Sequence, residues 1–179
     1  MSHPAQRSFI RSVRRKNPAY FVGCNVVDIG SKDINGNNKT FFWFCNYKGI
    51  DLSEGKNVDL IGRGHEVLPT IHQYLEPELG GLSTIISTEA LEHDEHWEQT
   101  LRTAYFYLEP GGLLVITAGG DGREEHGTTA HHAWCSPDTN NYYQNISNRM
   151  FSSALPVHWF TEYHLRQRKG DVQFWGRKK

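Results

Sequence analysis

The chain predicts an α/β fold: a doubly wound, mostly parallel seven-stranded sheet whose last two strands form an antiparallel C-terminal edge hairpin. Three observations carry this. The run Asn25-Val26-Val27-Asp28-Ile29 stops at Gly30 and opens into the polar loop Ser31-Lys32-Asp33-Ile34-Asn35-Gly36-Asn37, as a buried parallel strand does when it delivers its carboxyl end to a crevice. Further short apolar runs alternate with helical stretches through brief connections, the pattern of βαβ units. Two extended runs around Gly170 close the chain and suit an antiparallel hairpin.

Taken in order, residues 1–20 read as a basic N-terminal helix or arm, and Asn25–Ile29 as the first strand. Phe41-Phe42-Trp43-Phe44 lies in the crossover to the second strand. With no basic residue interleaved, the run reads as core packing by a short helix and not as a platform for bases. Lys48–Leu52, Asn57–Ile61, Leu82–Thr88 and Leu113–Ala118 read as the second to fifth strands. Trp97, Leu101, Ala104, Tyr105 and Leu108 recur at helical spacing before the fifth strand, with Asp94 placed as an N-cap. Glu109-Pro110-Gly111-Gly112 stops that helix. A helix over Asn145–Leu155 then precedes the hairpin strands Phe160–Leu165 and Val172–Arg177.

Composition points to one domain spanning residues 1–179. That length can bury a full core without staples. No apolar run approaches a membrane span and the basic N-terminus lacks a signal-type apolar segment, so no membrane partner is expected. Cys24, Cys45 and Cys135 cannot all pair and form no metal-type doublet; reduced thiols in a cytoplasmic protein are the expectation. The net charge of −1 hides an asymmetry. Arg7, Arg11, Arg14, Arg15 and Lys16 crowd the N-terminus with no acid, and six basic residues after position 165 face only Asp171. Such ends suit an anionic partner, although solvated helix faces and tails are the more ordinary outcome.

The loop after the first strand narrows the ligand. A dinucleotide site would need Gly-x-Gly-x-x-Gly to seat a pyrophosphate, but this loop puts Asp28 and Asp33 beside the turn at Gly30. Two carboxylates repel phosphate and suit a cation. The absent glycine pattern and Asp33 therefore argue against a nicotinamide-dependent oxidoreductase. Asp51 ends the second strand 23 residues after Asp28, where an acid can accept hydrogen bonds from both hydroxyls of a ribose. Asp28-Ile29-Gly30-Ser31-Lys32-Asp33-Ile34-Asn35-Gly36, with Ser87-Thr88-Glu89-Ala90-Leu91-Glu92-His93 and Leu108-Glu109-Pro110-Gly111-Gly112-Leu113, resembles the class I (Rossmann-like) S-adenosyl-L-methionine-dependent methyltransferases, over about residues 25–118.

The resemblance implies that S-adenosyl-L-methionine is the cofactor, bound by Asp28, Ile29, Gly30, Ser31, Asp33, Asn35, Asp51, Leu52, Thr88 and Glu89. Family members commonly carry an acid after the third strand for the adenine amino group. This chain offers Arg63 there, so Arg63, Gly64 and His65 become the expected adenine contacts. The fourth strand usually opens with an acid, and Gly81-Leu82-Ser83 has none.

An aligned nucleophile and a route for its proton are what remain to be supplied. His93 follows the fourth strand, and His126 sits in the glycine-rich stretch after the fifth. Small methyltransferases resembling this chain show an Arg-x-x-His-Gly segment followed by Tyr-Tyr-x-Asn, matched here by Arg123 to Gly127 and Tyr142 to Asn145. Residues 119–145 are thus the expected acceptor-side loop, with His93, His126 and Tyr143 as catalytic candidates and His126 as candidate base. The opposing reading has His126 only tying down the loop.

Glu89-x-x-Glu92-His93 has the spacing that binds a divalent cation in some related methyltransferases, where His126, His131 or His132 would complete the set. The same segment is widespread in relatives without metal, and no metal ligand is assigned. Nor is a zinc site drawn from Glu124, Glu125, His126, His131, His132 and Cys135, whose spacing fits no familiar ligand pattern. The expected activity is methyl transfer to an O or N atom of a small polar molecule. RNA 2′-O-methylation through the basic ends is the alternative enzyme reading, and a catalytically inactive cofactor-binding module the alternative of another class.

Overall fold

The computed structural model describes residues 3–136, 138, 139 and 141–179. Its sheet has seven strands: β1 (Asn25–Ile29), β2 (Asn46–Asp51), β3 (Leu60–Ile61), β4 (Leu82–Thr88), β5 (Leu113–Gly119), β6 (Phe160–Arg168) and β7 (Asp171–Lys178). Their order across the sheet is β3-β2-β1-β4-β5-β7-β6. The first five run parallel, and β7 pairs antiparallel with both β5 and β6. The doubly wound sheet and its closing hairpin are as expected.

Alternation along the strands explains why both faces are covered. Val26, Ile86, Leu113 and Val115 enter one core with Phe9, Ile10 and Val13 of helix α1 (Pro4–Lys16). Val27, Ile85, Leu114 and Ile116 enter the other, beneath α3 (Trp97–Tyr107) and α4 (Asn148–Ala154). Each fully buried Ile or Leu adds about 1.5–3 kcal/mol of transfer free energy, so neither face can be left bare. Arg11 and Arg15 of α1 are exposed, and part of the charge at the chain ends has structural work. Lys16 and Arg177 both pair with Glu162, and Lys178 Nζ donates to the Phe106 and Leu108 carbonyls at the end of α3.

Several boundaries differ from expectation for local reasons. β2 begins at Asn46, because the Asn46 amide donates to Asn25 Oδ1 at 2.8 Å and to the Tyr74 carbonyl at 2.7 Å. β3 keeps only two residues: Asn57 takes a φ of +69° and Asp59 Oδ2 receives the Gly49 N–H. Asp94 is not the N-cap of α3. That place belongs to His96, while Asp94 accepts from His96 N and from Thr100 Oγ1 in the preceding turn. α4 starts late because Ser147 caps it, its hydroxyl accepting from Met150 N. The aromatic run divides: Phe41 and Phe42 are buried, Trp43 lies under the Arg14 guanidinium, and Phe44 is 90% exposed.

A four-residue helix α2 (Gly64–Val67) and a following 3-10 stretch over Leu68–Tyr74 connect β3 towards β4. Cys24 and Cys45 are free thiols. Among the described residues no helix is long and apolar enough to cross a membrane.

Candidate functional site

The chain winds outward from β1 through β2 to β3, then returns to place β4 on the other side of β1. Connections therefore leave the carboxyl ends of β1 and β4 in opposite directions and a crevice opens between them. Here that crevice is a cleft of about 1000 Å³, open solvent at its mouth included, walled by the ends of β1, β2 and β4 and by the loops that follow. Gly30 makes the turn at a φ of +78°, and a Cβ there would stand 2.3 Å from that of Ala90. Its N–H and that of Ser31 both reach the Ile50 carbonyl, which carries the loop over β2.

Each acid of this wall is already engaged. Asp28 is buried; it accepts from the Tyr47 hydroxyl and, at 3.1 Å, from Asn38 Nδ2. Burial pushes its carboxyl up to about 7, against the pull of those two donors. Asn38 also donates to Thr88 Oγ1 and receives the Gln6 amide of α1, so it ties β1, β4 and the N-terminal helix together. Asp51 takes the N–H groups of Lys32 and Leu52, both at 2.8 Å, and burial raises its carboxyl above the ordinary range.

Glu89 closes β4 with a φ of +54°, a strained value for a residue with a side chain. Its Oε1 accepts from Thr117 Oγ1 at 2.8 Å. Its Oε2 lies 3.4 Å from His3 Nε2 and 3.7 Å from Arg123 Nη2. Asp171 shares both cations, at 3.3 Å from His3 and 2.8 Å from Arg123. Hydrogen bonds to Asp171 and Glu89 push His3 up to about 9. Burial opposes charge on Glu89, yet His3 holds its carboxyl below the ordinary value.

Beyond Glu89 the chain enters a short turn, Leu91–His93, and there the accounting changes. His93, His126 and Tyr143 form a mutual edge-to-face trio with ring centroids 5.0–5.4 Å apart. Tyr143 is anchored by donating to Asn145 Oδ1 at 2.7 Å. Glu92 is fully buried beside them, and neither of its carboxylate oxygens has a hydrogen-bond partner among the described residues. Burial, reinforced by Glu89, pushes Glu92 up to about 8. Burial also brings His93 down to about 4 and lowers His126.

Of the residues expected to hold a cofactor, Asp28, Ile29, Gly30, Ser31, Asn35, Asp51, Leu52, Arg63, Gly64, Thr88 and Glu89 line the cleft, and so does His93. Two do not. Asp33 braces the loop from behind, accepting from Gly36 N at 2.7 Å and Asn37 Nδ2 at 2.9 Å and pairing with Lys56. His65 turns to Thr100 Oγ1 and to the edge of His96. Arg63 reaches the wall, but its guanidinium is held by Asp94 and Glu95 at 3.4 and 2.7 Å. His126, His131 and His132 share a second, open cavity with Arg123 to Glu125 and Trp134. The side chain of Cys135 lies outside the described residues.

Sequence reasoning placed Arg123 in a motif but not its partners, and it missed Asn38, His3, Asp171 and Asp138. The last reaches from the acceptor-side loop to Lys32 Nζ at 2.9 Å and Ser53 Oγ at 2.7 Å, across the cleft mouth. Only Asn38 had a local signal, as the last member of an Asn- and Gly-rich loop.

No protein-family model matches the chain, and no curated protein sequence does. Solved structures do. A SAM-dependent methyltransferase from Archaeoglobus fulgidus superposes with a TM-score of 0.56 at 14% identity, over 96% of this chain and 94% of that one. The DhpI–SAH complex gives 0.61 at 11% identity, over 98% and 86%. The 1,6-didemethyltoxoflavin N1-methyltransferase of Burkholderia thailandensis, with that compound and S-adenosylhomocysteine bound, gives 0.58 at 16% identity, over 98% and 78%. At such identities the likeness is one of architecture: the chain has the Rossmann-like fold of the SAM-dependent methyltransferases.

Proposed function

We propose that the chain binds S-adenosyl-L-methionine in the cleft between β1 and β4 and transfers its methyl group to an oxygen or nitrogen atom of a small polar molecule. The observation that carries this reading is an acid-lined cleft at the switch point of the sheet, with the Asp51 carboxylate at the end of β2. Structural neighbours with the same architecture bind S-adenosylhomocysteine.

The residues fit such a ligand. Asp51 is positioned to accept from ribose hydroxyls, because its two oxygens use only one backbone donor each and a carboxylate can take about four. Leu52, Leu91 and Gly62–Gly64 line the part of the cleft wall that we assign to the purine. At the other end Asn37 Oδ1 is a buried acceptor with no donor among the described residues, suited to an ammonium. When bound, the sulfonium supplies an electrophilic methyl group, the C–S bonding pair remaining on sulfur as the acceptor's lone pair takes the carbon. The protein's part is alignment and proton removal. His93 reaches the cleft wall while His126 lines the neighbouring cavity, so the cluster they form with Glu92 and Tyr143 is where the two spaces meet. The acceptor's proton leaves on this side.

Calorimetric titration of the chain with S-adenosylhomocysteine tests the reading. A 1:1 heat that Asp51→Ala weakens about tenfold supports it, and heat with NADH but none with the nucleoside sinks it.

A second reading, RNA as acceptor, has one observation in its favour. Arg7 and Arg11 of α1, with His3, line an open groove that shares Asn35 with the cleft wall. A backbone phosphate lying there would stand beside the cofactor site.

A further inference from the structure

Glu92, His93 and His126 each present a ligand atom, and these atoms lie within 4.8 Å of one another. The two Glu92 oxygens, His93 Nδ1 and His126 Nε2 are all buried, and none has a hydrogen-bond partner among the described residues. The His126 tautomer can be assigned. His126 Nδ1 stands 3.0 Å from the Glu124 carbonyl; a carbonyl only accepts, so the proton is on Nδ1 and Nε2 carries a bare lone pair. For His93, Nδ1 is the buried atom without a partner among the described residues.

The His126 ring thus spends its N–H on a backbone carbonyl and turns its lone pair inward, the outer-sphere arrangement that orients metal-binding histidines. Gly127 locks the geometry from behind, since a Cβ there would stand 2.6 Å from His93 Cε1. Buried acceptors converging in this way are destabilising unless a shared proton or a cation joins them.

We infer that Glu92, His93 and His126 form a binding site for a divalent transition-metal ion, a role the Glu89-x-x-Glu92-His93 spacing alone did not establish. Two imidazoles and one carboxylate suit Zn²⁺, Mn²⁺, Fe²⁺ or Co²⁺ better than Ca²⁺, and three protein ligands leave coordination positions open. Glu89 is not one of the ligands. It belongs to the His3–Arg123–Asp171 group, where the guanidinium already supplies positive charge. Given the methyl-transfer reading, on which this last step rests, the open positions would hold the acceptor through a hydroxyl oxygen and ease loss of its proton. His93 and His126 are then ligands, not proton carriers, and the acceptor class narrows to oxygen nucleophiles.

The test needs no turnover. The full chain, dialysed against a chelator and then freed of it, is titrated with Co²⁺, Mn²⁺ and Zn²⁺ by calorimetry, with the visible Co²⁺ spectrum recorded. Stoichiometric binding, weakened more than about 100-fold in Glu92→Gln and in His126→Asn, is the expected result. No binding of any of the three ions, or binding that survives both substitutions, overturns the inference. S-adenosylhomocysteine titrated in parallel keeps the cofactor reading separate, because both variants and the metal-free chain retain that site. Should a variant fold poorly, melting of the unsubstituted chain decides: a metal-dependent rise in Tm supports the site, and an unchanged Tm with all three ions removes it.

Discussion

The wall of the cleft and the cluster next to it are built from the same kinds of residue and solve the burial problem in opposite ways. Asp28 and Asp51 sit at strand ends with every carboxylate oxygen receiving at least one donor from the protein. Four residues past β4, Glu92 is as deeply buried and has none among the described residues. An internally satisfied acid positions its neighbours, whereas an unsatisfied one is arranged for something the chain does not itself supply. This contrast separates framework from ligand site.

The largest expected effect breaks the framework. Asp28→Ala strands the Tyr47 hydroxyl and removes one of the Asn38 contacts in a dry interior. It should cost about 2–4 kcal/mol in urea unfolding. Glu92→Gln, measured in chelator, should cost less than about 0.5 kcal/mol, since neither carboxylate oxygen bonds to a described residue. If the two variants lost comparable stability, the distinction between the two regions would fail.

Next comes a variant that leaves the framework standing. Asp51→Ala removes acceptors for two backbone N–H groups at a site still reached by water, a folding cost of about 1 kcal/mol. The same change should weaken S-adenosylhomocysteine by roughly tenfold, about 1.4 kcal/mol. A large stability loss with unchanged affinity would mean that Asp51 is framework only.

This division also marks how far the sequence was legible. β1 and β4 were read to the residue because each is a continuous apolar run, and most cofactor-side positions followed, because topology forces ligands to the carboxyl ends of such strands. The rest depended on contacts that no local pattern encodes. His3 meets Asp171 from the opposite end of the chain, and Arg123 meets Glu89 from another loop. Spacing alone grouped Glu89, Glu92 and His93 as one set. The left-handed backbone at Glu89 turns the chain so that Glu89 joins one cluster while Glu92 and His93 join another. Asp33 has the composition of a ligand contact, but Lys56 and the loop amides claim it, and Lys56 holds its carboxyl below the usual carboxylate range.

His3 gives a smaller, pH-dependent comparison within the satisfied region. Its imidazole is raised from 6.5 to about 9 by Asp171 and Glu89. Because the folded value lies above the unfolded one, the contribution is complete below pH 6.5 and is lost as pH rises through 9. With a quarter of the side chain exposed, it is worth on the order of 1–2 kcal/mol. Asp28, raised by burial, favours the folded state most at low pH in the same sense, so the measurement must be a difference. Stability of the original chain minus that of His3→Ala should shrink between pH 6.5 and 9.5. A flat difference would show that His3 only caps α1 through Nδ1 and Gln6.

The smallest expected effect concerns the outer face of α1. If the acceptor is a small molecule, Arg11 and Arg14 play no part in its capture; Arg14 instead covers the Trp43 ring at 3.9 Å, worth about 0.5–1 kcal/mol at an exposed site. Arg11→Ala with Arg14→Ala should then change kcat/KM by less than about twofold, with no added salt dependence. An RNA acceptor predicts otherwise: log K for an oligonucleotide falls linearly with log salt, and each neutralised phosphate contact removes about one unit of slope. A slope that drops by about two in the double variant would move the working surface from the buried cluster to this exposed face. The groove of His3, Arg7, Arg11 and Asn35 would then be its entrance to the cleft.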